Sequence, residues 1–271
     1  MLDQSWSLFN LNRSKRGEEQ MQYIVMDLEF NGRRHYDIYP MEIIEIGAVK
    51  LNEQMEIVET FQSFIRPKFP LNRFALQFCG ITKETLLKSK PFEVVIEKFK
   101  KFCGTDYKLI AWGGSDFFTL MVDCKVNRVN TEWITTHLLD MTRYYDGGLQ
   151  QALEEHGLQF IGQSHSALDD ALNAVLLLKL KPWIVSDANY FIPDPVKICT
   201  GGIKKWILIS LEEALQNNQM LSWNDFLKDQ NTEKYISIMN LSENEIRMVQ
   251  NLFKKFAQMK YGRKTKKLLY A

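Results

Sequence analysis

The sequence predicts an α/β fold, a mixed five-stranded sheet flanked by helices, with a helical C-terminal appendage. Three observations carry this. Tyr23 to Phe30 is apolar on both faces apart from two acids, the pattern of a central strand. Two further β-type runs follow, and strand and helix patterns then alternate as far as Pro182. Beyond Pro182 the periodicity is helical, after a linker marked by Pro193, Pro195 and Gly201-Gly202.

Taken in order, Ile43 to Leu51 and Ile57 to Ile65 flank the polar turn Asn52-Glu53-Gln54 and read as a hairpin closed by Pro67 and Pro70. Pro91 opens an amphipathic helix with Phe92, Val95, Ile96, Phe99 and Phe102 at helical spacing and Gly104 past its end. Leu109 to Trp112 is a short buried strand stopped by Gly113-Gly114, and Ser115 to Lys125 is a helix with Ser115 as an N-cap candidate. Trp133 to Leu139 reads as the fifth strand, with His137 as a core histidine. Leu149 to His156 and Ser166 to Leu180 are further helices, followed in the appendage by Ile207 to Leu215, Trp223 to Leu227 and Glu243 to Tyr261. The expected division is an N-terminal extension over 1–20, a main domain over 21–183 and a helical region with a basic tail over 184–271. Met21 sits directly before the first strand and is an alternative translation start.

Composition narrows the class. The 271 residues are 45% hydrophobic and 25% charged, which excludes a disordered or fibrous chain. A net charge of +1 selects no partner, but the last 21 residues hold seven Lys/Arg and no acid. Such a tail suits a nucleic-acid backbone, and equally a merely solubilising terminus. Cys79, Cys103, Cys124 and Cys199 form no CxxC pair, so reduced thiols and a cytoplasmic location are expected. No apolar run approaches the ~18 residues of a membrane span, so no membrane partner is expected.

The chemistry begins on the first strand. Asp27 and Glu29 are two apart, so in a strand they share a face. Two acids there repel each other and are costly to desolvate; a hard divalent cation removes that cost. An edge strand with solvated acids is the bland alternative. Asp116 follows a strand end at the start of a helix, where open α/β sheets place ligands and where the helix dipole also favours an acid. In His165-Ser166-Ala167-Leu168-Asp169-Asp170, Ser166 and Asp169 have capping-box spacing, which gives Asp169 a structural job. Asp170 falls instead on the small-residue stripe of Ala167, Ala171 and Ala174, where an acid has no structural purpose. His165 precedes it on the loop and can reach the same point, with a ring suited to accepting a proton from water.

Asp27-Leu28-Glu29, Asp116 and His165 with Asp170, in that order, resemble the DEDDh family of 3′→5′ exonucleases, whose fold is RNase H-like. Pro40 to Gly47 and Leu71 to Thr82, which ends in Gly-Ile-Thr, are similar to its Eri-like branch, which includes a bacterial exonuclease linked to inhibition of sporulation. The resemblance implies two Mg²⁺ or Mn²⁺ ions per site, held by Asp27, Glu29, Asp116 and Asp170, with Asp27 bridging. His165 would be the general base and nucleoside 5′-monophosphates the products. It implies single-stranded RNA or DNA 3′ ends as partners, with RNA favoured. Phe74, Leu76 and Phe78 alone read as core packing; the resemblance implies instead that Phe74 stacks on the terminal base, that Leu76 lies nearby and that the backbone at Leu28 meets the terminal ribose. Ser115 departs from the Trp of animal Eri-like relatives. The alternative readings are a regulatory module binding a protein partner through its helical region, and a proofreading exonuclease beside a polymerase.

Overall fold

In the computed structural model the two-acid strand, β1 (Gln22–Asn31), lies at the centre of a five-stranded sheet of order β3-β2-β1-β4-β5. The structure describes residues 21–32, 38–134 and 137–262; the extension over 1–20, Arg33-Arg34-His35 and the tail from Arg263 lie outside the described residues. β2 (Glu42–Leu51) runs antiparallel to β1, and β3 (Ile57–Phe64) antiparallel to β2. β4 (Tyr107–Ala111) and β5 (Leu138–Asp140) extend the other side in parallel, so the sheet is mixed.

Two short helices missed by the periodicity follow β3. They are α1 (Arg73–Cys79), capped by the Asn72 side chain, and α2 (Lys83–Lys88), capped by Thr82. α3 (Phe92–Cys103) is the amphipathic helix opened by Pro91, and α4 (Gly114–Val126) follows β4. α5 (Leu149–Glu155) and α6 (Ala167–Leu180) complete the flanks.

Period-two alternation divides the sheet between two cores. Ile24, Met26, Leu28, Ile46 and Ala48 pack with Phe92, Phe99, Phe117 and Leu120 of α3 and α4. Val25, Val49, Leu51, Ile110 and Leu139 pack with Ala171, Ala174, Val175 and Leu178 of α6. Asp123 of α4 is buried and accepts the Ile43 N–H at 2.6 Å, tying that helix to the start of β2.

Gly47 sets how close α6 comes. It pairs with Asp27 across β1 and β2, and a Cβ there would stand 2.1 Å from the Ala167 carbonyl carbon and the Leu168 nitrogen. Only a residue without a side chain lets the first turn of α6 rest on the sheet beside the acids. Gly47→Ala is expected to cost roughly 1–3 kcal/mol by overpacking, read as a fall of several degrees in Tm by calorimetry. An unchanged Tm would mean that α6 yields freely.

The fifth strand is shorter than the apolar run implies. Ile134 N–H bonds to the Thr131 carbonyl, so Trp133 and Ile134 reach the core from a turn and the ladder begins only at Leu138. His137 is exposed, edge-on to Tyr190 at 4.8 Å, rather than a core residue.

The C-terminal helices are α7 (Pro195–Thr200), α8 (Lys204–Gln216), α9 (Trp223–Leu227), α10 (Gln230–Met239) and α11 (Glu243–Tyr261). They close around Ile203, Ile207, Leu211, Phe226, Tyr235 and Phe253 and dock on α4 through Val122 and Val126. Lys125 pairs with Glu245 at 2.7 Å across this contact. The expected Pro/Gly linker is therefore packed: Asp194 caps α7, and Gly202 lies so close to the Tyr235 ring that a Cβ would meet it at 2.5 Å. Among the described residues no helix is long and apolar enough to cross a membrane.

Candidate active site

Asp27 and Glu29 leave β1 on the face covered by α6, as period two requires. Glu29 is 8% exposed and sits opposite Glu45 of β2 in the register. Asp116 lies in the first turn of α4, just past the carboxyl end of β4, and is 4% exposed. Asp170 lies in the first turn of α6 and is 8% exposed. The His165 N–H donates to Asp170 Oδ2 at 3.1 Å, which anchors the loop to the acid five residues on. Glu29, His165 and Asp170 each offer a ligand atom, and the three atoms lie within 4.8 Å of one another. Asp27 lies within electrostatic reach of Asp116, Asp170 and Glu29 at once. Glu29, His165 and Asp170 therefore converge, with Asp27 and Asp116 within electrostatic reach of the same acids.

The electrostatics reflect that crowding. Burial first, then the charges of Asp116, Asp170, Glu29 and Glu45, hold the Asp27 carboxyl well above the carboxylate range. Burial, with Asp170 and Glu45 nearby, pushes Glu29 up to about 8. Asp116 also rises to about 8, chiefly through burial and partly through Asp140, against the lowering effect of its backbone hydrogen bond. Asp170 rises to about 6, because burial outweighs the His165 N–H that favours its charged form. Buried carboxylates that repel one another lack positive charge. All four donors offer hard oxygens, so the set fits Mg²⁺ or Mn²⁺ better than a softer ion.

The capping box expected at α6 does not form. Ser166 occupies the N-cap without a side-chain hydrogen bond, and Asp169 Oδ2 instead accepts the Gln163 N–H at 2.9 Å. Asp169 thus braces the loop that carries His165. The N-cap of α4 is Gly113 at φ 117°, not Ser115, which is exposed beside Asp116.

The expected substrate contacts divide. Phe74 is 68% exposed on α1, so its ring is free to meet a ligand rather than packed in the core. Leu76 packs on the small cluster of Ile44, Cys79, Ile81 and Leu86. The Leu28 side chain is buried in the sheet core, which leaves only its backbone for contact.

Two residues of the pocket were not singled out. Glu45 is 1% exposed; it accepts the Gln62 amide at 2.7 Å and the Ala167 N–H at 3.3 Å, fixing the first turn of α6. Its signal was akin to the one that marked Asp27 and Glu29, an acid inside an otherwise apolar strand. Phe78 places its ring 3.8 Å from that of His165. Its plain reading as core packing does not hold, since it is 64% exposed, and its place beside His165 was hidden because α1 was not recognised as a helix.

A family model described as Exonuclease matches residues 24–178, more than half of the chain. The probable 3′-5′ exonuclease KapD of Bacillus subtilis is 33% identical over 171 residues, covering 58% of this chain and 82% of that protein. The 3′-5′ exoribonuclease 1 of Mus musculus is 28% identical over 187 residues, covering 60% of this chain and 54% of that protein. Among solved structures, the nuclease domain of 3′hExo, a DEDDh family member bound to rAMP, matches with a TM-score of 0.55 and 23% identity. That match covers 65% of this chain and 98% of that one, and it establishes the shared fold.

Proposed function

Since the chain belongs to the exonuclease family, as a 3′→5′ exonuclease of the DEDDh type, we propose that it removes nucleotides from the 3′ end of single-stranded nucleic acid, RNA in preference to DNA, and releases nucleoside 5′-monophosphates. The observation that carries this reading is the convergence of Glu29, His165 and Asp170 within 4.8 Å on the face of β1 that also carries Asp27. The preference for RNA rests on the exoribonuclease relatives.

Asp27, Glu29, Asp116 and Asp170 would hold two Mg²⁺ or Mn²⁺ ions, with Asp27 the candidate for serving both because it lies within electrostatic reach of the other three. Bound ions supply an acidified water and stabilisation of the leaving 3′ oxygen. The protein does the rest. His165 accepts the proton of the attacking water at a ring nitrogen, and Asp170 anchors its backbone. Phe74 offers an exposed ring to the terminal base; such stacking is worth ~1–3 kcal/mol and tolerates any base. The Leu28 backbone, between the two acids, meets the terminal ribose, which favours a free 3′ end.

Purified protein incubated with 5′-labelled single-stranded RNA and DNA tests this. The expected result in Mg²⁺ is a ladder shortening from the 3′ end, faster on RNA, with 5′-monophosphate products, and none in EDTA. Cleavage that persists in EDTA, or 3′-monophosphate products, would reject it.

A further inference from the structure

We propose that Phe78 is a positioning residue that holds the imidazole of His165 in its working orientation; this rests on His165 being the general base.

The loop before α6 is fixed through its backbone. His165 sits at φ 65°, a left-handed conformation that a non-glycine residue keeps only when its surroundings impose it. Those surroundings are visible. The His165 N–H bonds to Asp170, the Ser166 N–H to the Gln163 carbonyl, and the Gln163 N–H to Asp169. None of these bonds sets the side-chain torsions of His165, and no hydrogen bond to its ring nitrogens comes from a described residue. A proton acceptor whose ring turned freely would aim at the water only part of the time.

The contact that restrains the ring comes from α1. The Phe78 and His165 ring centroids are 3.8 Å apart, with the planes inclined at 36°. The same end of α1 touches the loop again, since a Cβ on Gly80 would stand 2.7 Å from Gln163 Nε2. Phe78 is nonetheless 64% exposed, so the hydrophobic core gains little from it. Phe74 stands one helical turn earlier on the same face, 68% exposed. α1 thus exposes two rings on one face, and of these Phe78 lies on the imidazole.

The effects of the two rings separate kinetically. Phe78→Ala is expected to lower kcat by about 3- to 10-fold, the scale of one lost aromatic pair, with KM for a single-stranded oligonucleotide unchanged. Phe78→Tyr, which keeps the ring, is expected to restore kcat. Phe74→Ala is expected to raise KM instead.

A readout that needs no turnover is proton NMR of the metal-free full chain. The His165 ring resonances, assigned by their loss in His165→Ala, are expected to be shifted by the Phe78 ring current and to move to ordinary histidine positions in Phe78→Ala. Wild-type kcat in Phe78→Ala, a rise in KM alone, or histidine resonances that Phe78→Ala leaves in place would overturn the inference. A wild-type protein with the ring-current shift but no 3′→5′ hydrolysis would overturn the proposed function while leaving the contact intact.

Discussion

Replacing Asp27 with alanine is expected to lower kcat on the order of 10³-fold or more while leaving the fold in place. Asp27 lies within electrostatic reach of Asp116, Asp170 and Glu29, so in the proposed site its loss would remove the acid best placed to serve both ions. A divalent ion contributes several kcal/mol of transition-state stabilisation, and each 1.36 kcal/mol is about tenfold in rate. His165→Ala is expected to cost about 10²- to 10⁴-fold, the usual worth of a positioned general base. The stability of the Asp27 variant moves the other way. In the metal-free protein Asp27 is a desolvated acid among like charges, so Asp27→Ala is expected to raise Tm in EDTA while losing the stabilisation by Mg²⁺. Turnover close to wild type in either variant would reject the assigned roles, and a lower Tm in EDTA for Asp27→Ala would make it a structural residue.

The second large effect is competition between protons and metal. The Asp170 carboxyl is raised to about 6 and those of Glu29 and Asp116 to about 8, through burial and like charges. Below those values the pocket holds protons; above them it holds negative charge and attracts cations. Apparent Mg²⁺ affinity is therefore expected to climb as pH rises from about 6 to about 8, by up to tenfold per unit for each proton released. Folded-state values above the unfolded ones, near 4, mean that these carboxyls' contribution to the stability of the metal-free fold is fully present in acid and is lost as pH rises through them. Mg²⁺ offsets that loss. At about 100 times its Kd it adds about 2.7 kcal/mol, or roughly 5–10 °C in Tm for a chain of this size. Thermal melts in EDTA and in Mg²⁺ at pH 5.5 and pH 8 measure this. An equal Mg²⁺ shift at both values would mean that these carboxyls do not bind the ion.

Much of this site was legible because its chemistry conflicts with its structural setting. Asp27 and Glu29 interrupt an apolar central strand, and Asp170 interrupts an alanine stripe, so each stood out where burial alone would favour a hydrocarbon. The three meander strands and the helices at Phe92, Gly114 and Ala167 were legible from periodicity and from their Pro and Gly boundaries.

The parts that were not legible are either too short to show a period or depend on partners outside their own pattern. α1 and α2 are 7 and 6 residues long, too short to show a period, and rest on side-chain caps. Ser166 and Asp169 matched a capping box, but the loop at Gly162 and Gln163 took the Asp169 carboxylate. Pro193 to Gly202 looked like a linker because glycine signals freedom in a sequence; here Gly202 admits the Tyr235 ring instead. Phe78 could not be paired with His165 before α1 and the loop were brought side by side.

Isothermal titration of chelator-stripped protein with Mn²⁺ bears most directly on whether Asp27, Glu29 and Asp170, drawn from separate stretches of the chain, act as one cation site. Saturable binding in the wild type that is lost in both Asp27→Ala and Asp170→Ala, each still folded by circular dichroism, is the expected result. Wild-type protein that binds no Mn²⁺, or variants that bind it as tightly, would contradict it.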